Sequence, residues 1–155
     1  MSACRLAALC LGAALAPAGA AAADPFYLGV WKFSGAVVAP WVDPGRTPDR
    51  KEVTRLLDKT VALKPKEIAG PQPFACKGAH YEESDVPADA LFQGAFEEMK
   101  SKDPSVDPNK IAAALGFTGT SFKTLETGCE IDFHFVDAKT AEVGLNDYVY
   151  TLKKQ

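Results

Sequence analysis

The chain has 155 residues, with 17 basic against 20 acidic side chains and a formal net charge of −3. That balance argues against nucleic acid, whose binders gather Lys and Arg on one face, and against anionic lipid surfaces, which attract polybasic segments. The length is that of one domain.

The first segment reads as a secretory leader. Arg5 gives a positive start, Leu6 to Leu15 is an uncharged apolar run of ten residues, Pro17 breaks it, and Gly19 to Ala23 supplies small residues before Asp24. Such a run is too short to cross the ~30 Å of hydrocarbon in a bilayer. Cleavage is expected after Ala23, removing residues 1–23 together with Cys4 and Cys10. Leu9 before Cys10, inside the apolar run, does not fit a lipid-attachment site. Taking the 23-residue leader from 155 leaves a single β-rich domain over 24–155, of 132 residues. Without Arg5 its charge moves from −3 to −4. No second apolar run is long enough to span a membrane, so the expected location is periplasmic or secreted.

The mature part opens on a strand. Phe26 to Val38 is aromatic and β-branched, and Gly35 signals a bend or bulge within it. Pro40-Trp41-Val42-Asp43-Pro44-Gly45 cannot continue a ladder, because proline has no amide hydrogen to give. Pro48 to Leu57 predicts a short helix with Val53, Leu56 and Leu57 on one side. Thr60 to Lys64 and Lys66 to Ala69 predict a hairpin, and Gly70-Pro71-Gln72-Pro73 a loop leading to Cys76.

Two helices follow. Ala88, Leu91, Phe92, Ala95, Phe96 and Met99 keep the spacing of an amphipathic helix, with Gly94 inside it; a strand from Ala90 to Phe96 is the competing reading. Asp107 as cap and Pro108 at the first turn begin a second helix, with Ile111, Ala114 and Leu115 as its apolar stripe and Gly116 as its end.

The last third alternates. Ser121 to Glu126 reads as a strand. Cys129, Ile131, Phe133 and Phe135 then alternate with Glu130, Asp132 and His134, which is a strand with one buried face. Ala141 to Leu145 and Tyr148 to Lys153 follow across short turns, the second at Asn146-Asp147. The expected architecture is mainly β (α+β): a small antiparallel barrel or strongly curved sheet with two or three short helices.

Cys76 and Cys129 are the cysteines left after processing, 53 positions apart and without Cys-x-x-Cys spacing. In an oxidising compartment that pattern predicts a structural disulfide in place of a redox pair or half a metal site. Closing such a loop stabilises by about 4 kcal/mol in the chain-entropy model.

Gly29-Val30-Trp31, Asn146-Asp147-Tyr148 and a terminal lysine, Lys153 or Lys154, together resemble the lipocalin and calycin barrels. Those families carry Gly-x-Trp on the first strand, Thr-Asp-Tyr at a late turn and a basic residue lying over the tryptophan. The resemblance implies a barrel in which Gly29 and Trp31 are structural. Two features depart from it: the chain ends soon after Tyr148, and the helical insertion between Pro87 and Gly116 is foreign to the family order. The chain also resembles small periplasmic proteins of proteobacteria, which implies a location and no activity.

Catalytic signals are sparse. No Gly-x-Ser-x-Gly occurs and no phosphate loop follows Gly116 to Gly119. The two histidines, His80 and His134, lie close after Cys76 and Cys129 and read as solvated surface residues; the alternative is that a bridge brings them to one neighbourhood as metal candidates. Zinc needs three or four ligands, and no metal or other cofactor is expected. The leading expectation is a non-enzymatic binding protein, holding a small apolar ligand in a barrel-like pocket with Trp41 and Phe74 near its mouth. The alternative is a protein-interaction module, such as a lysozyme or protease inhibitor, for which the acidic charge suits a basic partner.

Overall fold

The computed structural model describes residues 25–155; residues 1–24, with Cys4, Cys10 and the expected leader, lie outside the described residues. In chain order the elements are β1 (Gly29–Val38), α1 (Lys51–Leu56), β2 (Thr60–Lys64), β3 (Glu67–Ala69), β4 (Cys76–Lys77), β5 (Glu82–Val86), α2 (Leu91–Lys102), α3 (Pro108–Ala114), β6 (Phe122–Glu126), β7 (Phe133–Asp137), β8 (Thr140–Leu145) and β9 (Tyr148–Lys154). No helix among the described residues is long and apolar enough to cross a membrane.

All nine strands belong to one antiparallel sheet, in the order β4-β3-β2-β1-β9-β8-β7-β6-β5, and it curls into a half-barrel. Apart from β4 and β5, neighbours in the chain are neighbours in the sheet, and β9 returns to pair with β1. Alternating directions around that order make β4 and β5 run the same way. With only Gly78 to Tyr81 between them, Cys76–Val86 is one strand interrupted in the middle. Its first part pairs with β3, Ile68 opposite Cys76, and its second with β6, Ser84 opposite Thr124.

The interruption is where the sheet changes partners, and backbone hydrogen bonds on both sides and the disulfide tie it. Gly78 N–H donates to Lys66 O at 2.9 Å on the β3 side, and His80 N–H donates to Thr127 O at 2.9 Å on the β6 side. The Cys76–Cys129 disulfide spans the same gap. Thr127, fully buried, shapes the loop that carries Cys129: its hydroxyl donates to Ile131 O at 2.8 Å and accepts from Cys129 N–H at 3.2 Å.

The concave face is filled with side chains. Trp31 and Phe33 from β1, Val61 and Leu63 from β2, Leu125 from β6, Phe133 and Phe135 from β7, and Tyr150 and Leu152 from β9 pack into one core. α1 closes one end, burying Val53 and Leu56 against it. Phe74 belongs to this core: it is 2 % exposed and packs edge-on to Phe33 at 4.8 Å, so it stands at no pocket mouth. Lys154 Nζ lies 5.7 Å from the centre of the Trp31 ring, and Gly29, at φ +127°, leaves room for that lysine's stem. The bulge on β1 falls between Phe33 and Gly35, as the glycine there predicts.

The convex face is covered on one side by the insertion between β5 and β6. Leu91, Phe92 and Phe96 of α2, Ala112 of α3 and Phe117 pack on Phe122 and Val149 of the sheet, with Trp41 and Met99 at the edge. α3 begins as its sequence predicts, Asp107 Oδ1 accepting from Asn109 N–H at 3.0 Å. Its apolar stripe is displaced from the expected one: Ala112 is buried and Ala114 exposed. The strand reading of Ala90 to Phe96 fails, and so does a regular helix from Ala88. Ala88–Ala90 is a single 3₁₀ turn, and Phe92, Gln93 and Gly94 then take left-handed angles before right-handed helix resumes.

Candidate ligand-binding cleft

The polar centre of the molecule lies under that helical cover. On the convex face the registers align Ser84, Thr124, His134, Glu142 and Thr151 in one row across β5, β6, β7, β8 and β9. His134 does point away from Phe133 and Phe135, as alternation requires, yet it is 2 % exposed because α2 lies over it. The expectation of a solvated surface histidine is therefore overturned: an outward face is wet only where nothing packs on it.

Both ring nitrogens of His134 are engaged. Phe92 N–H donates to Nε2 at 3.1 Å, which leaves that nitrogen unprotonated. The proton therefore sits on Nδ1, which lies 2.9 Å from the Thr124 hydroxyl. Burial lowers the His134 pKa to about 4, so the ring is neutral at pH 7. Next along the row, Glu142 is 4 % exposed and accepts from the Thr151 hydroxyl at 2.9 and 3.1 Å. Burial pushes its carboxyl up to about 7, against the opposing pull of Thr151 and Lys153.

The left-handed turn at the start of α2 explains how the Phe92 backbone reaches this row. At φ 51° the Phe92 backbone aims its N–H at the histidine, and its ring stacks edge-on to the imidazole at 4.6 Å. A phenylalanine in this region of backbone space is strained, and such strain gathers at sites where the surroundings enforce it. Trp41 folds back from the proline-rich loop onto the same surface, 5.5 Å from Phe92, and its Nε1–H donates to Asn146 O at 3.1 Å. Gly144 of β8 makes the space: a Cβ there would meet Phe92 at 3.1 Å and Trp41 at 3.2 Å.

Between α2, the end of the Trp41 loop and the β7 entry lies a cleft of about 440 Å³. Trp41, Phe92, Ala95, Met99 and Ile131 form its apolar walls; Glu98, Lys102, Glu130 and Asp132 give it charge. Gln93 donates to Glu130 O at 3.4 Å and reaches the Asp132 carboxylate at 3.5 Å. Burial raises the Asp132 pKa, against the opposing pull of the Gln93 amide and the Thr127 N–H. Lys102 is paired with Glu98 at 2.6 Å. Neither Glu130 nor Asp132 has an ion-pair partner among the described residues.

Of the residues singled out from sequence, Trp41 lines the cleft and Phe74 does not. His80 and His134 form no shared site. His80 is exposed beside Gly128, His134 is enclosed under α2, and no group of three His, Cys, Asp or Glu able to hold a metal occurs among the described residues. Phe92 and Met99 enter the sequence reading as apolar positions of a helix and Asp132 as an outward position of a strand, none of them as cleft residues, and Gln93 is not singled out. Gly144 was the usable signal, since a glycine within a strand marks the close approach of something else. Comparison with protein-family models found no match, and neither curated proteins nor solved structures gave one.

Proposed function

We propose that this chain is an exported, non-enzymatic binding protein that takes a small, mainly apolar ligand in the convex-face cleft. The observation that carries the reading is the cleft itself: 440 Å³ walled by Trp41, Phe92 and Met99, with Gly144 holding the space behind the two aromatic rings. Ligand sites are commonly concave, apolar and several hundred Å³ in volume. The filled concave core speaks for this outer position over a pocket inside the barrel. Both ring nitrogens of His134 are engaged by protein groups, and Glu142, buried against Thr151, does not line the cleft; this arrangement supports binding over catalysis. Export is supported by the disulfide, a bond that persists in oxidising compartments. The strand order and the Lys154–Trp31 stacking support kinship with calycin-type barrels.

Fluorescence titration with N-phenyl-1-naphthylamine, a neutral apolar probe, tests the site. One saturable site is expected, with about tenfold weaker binding once Ala95→Phe fills the cleft from α2. Saturable binding untouched by Ala95→Phe, or none at all, would rule the cleft out.

A further inference from the structure

Resting on that reading, we propose that the ligand is a cation: an apolar body bearing a quaternary or protonated amine, held by the Glu130 and Asp132 carboxylates and the Trp41 and Phe92 rings.

The charge count is the first ground. The cleft is lined by three carboxylates, from Glu98, Glu130 and Asp132, and by one ammonium, from Lys102. Lys102 is spent on Glu98. That leaves Glu130 and Asp132, both lining the cleft, with no ion-pair partner among the described residues. A partly dehydrated carboxylate is costly while unpaired. Asp132 is the more enclosed of the two: it is partly buried, whereas Glu130 is exposed, and it relies on neutral donors, the Gln93 amide and the Thr127 N–H. A cation entering the cleft relieves that cost, whereas an anion adds to it.

The aromatic walls narrow the class. Trp41 and Phe92 stand 5.5 Å apart, tilted by 50°, and both line the cleft. Aromatic faces carry negative quadrupole density that attracts a cation within ~6 Å, most strongly a weakly hydrated one, and Trp41, only partly buried, is the more accessible of the two rings. A compact metal ion would need a cage of oxygen or nitrogen ligands, and no such group of three occurs among the described residues. A large, soft ammonium needs only the arrangement present here: rings and methionine for its carbon surface, and carboxylates for its charge.

Three ligands with one skeleton separate this inference from the reading it rests on: 4-phenylbutyltrimethylammonium, 4-phenylbutanol and 4-phenylbutanoate. Each is titrated into the folded, disulfide-bonded protein by calorimetry at low salt. The ammonium is expected to bind about tenfold tighter than the alcohol, and the carboxylate weakest. Glu130→Gln, at an exposed position, and Asp132→Asn are each expected to shrink the ammonium-to-alcohol ratio severalfold, and added salt to shrink it further. Near-ultraviolet circular dichroism checks that each variant keeps the native packing. Equal affinity for ammonium and alcohol would overturn the cation assignment while leaving the cleft as a binding site. Absence of binding by all three would overturn both.

Discussion

His134 and Glu142 face each other across β7 and β8, and burial moves their titrations in opposite directions. The histidine falls from an ordinary 6.5 to about 4. Between those values the unfolded chain binds the extra proton, so this group removes stability as pH drops from 6.5 towards 4. Glu142 rises from 4.5 to about 7, and there the folded chain holds the extra proton. That group removes stability as pH climbs from 4.5 towards 7. Over the shared window the two slopes oppose each other, and stability is expected to be nearly flat. Glu142→Gln keeps an acceptor for Thr151 and deletes one slope. Urea unfolding of this variant at several pH values between 4.5 and 6.5 should show stability climbing with pH by up to about 3 kcal/mol more than in the parent. Parallel curves for the two proteins would mean that Glu142 titrates normally. Neither group could be placed from sequence. Alternation puts both on the convex face, and only the packing of α2 decides that the face is dry.

At the scale of elements, α2 shows where periodicity stops being informative. The apolar spacing from Ala88 to Met99 marks a buried surface correctly, with Leu91, Phe92 and Phe96 buried. It does not specify backbone handedness. Gly94 was the local sign of trouble, and the break extends back to Phe92 and Gln93, neither of which prefers positive φ. Tertiary contacts, chiefly the Phe92 to His134 bond and the stacking on Trp41, hold that turn in place. Gly94→Ala isolates the backbone contribution, because a Cβ at Gly94 would meet nothing within 4 Å. The variant is expected to lose about 1–2 kcal/mol in a denaturant melt, through φ +81° alone, and to bind the naphthylamine probe less tightly as α2 shifts. An unchanged midpoint would show that the turn relaxes without cost. By contrast, Asp107-Pro108 reads directly as a helix start, since cap and first turn are set by neighbours in the chain.

For the molecule as a whole, the mainly β class, the curved sheet and the final meander were legible because each strand pair there is joined by a short turn. The strand expected from Cys129 to Phe135 begins only at Phe133, because Cys129 to Asp132 form the loop tied down by Thr127, and its register with β8 shifts between Phe135 and Asp137. What was not legible is the change of partners in Cys76–Val86, since nothing local distinguishes one broken strand from two. The disulfide was readable by count, and its place shows what it does: it pins the β4 side of the interruption to the loop after β6. Only two residues of β4 pair with β3, and the connection bonds to its flanks through a few backbone groups. Replacing both cysteines by serine removes the tie while keeping the strand sequences. In the chain-entropy model the loss is about 4 kcal/mol for a loop of this length, a large share of the ~5–15 kcal/mol typical of small domains. Guanidinium melts of the Cys76→Ser/Cys129→Ser protein measure it. Hydrogen exchange locates it: the amides of Gly78 and His80 should lose protection before those of β8 and β9, which lie in the middle of the sheet. A loss below about 1 kcal/mol, with Gly78 and His80 still protected, would mean that backbone bonds alone hold the seam.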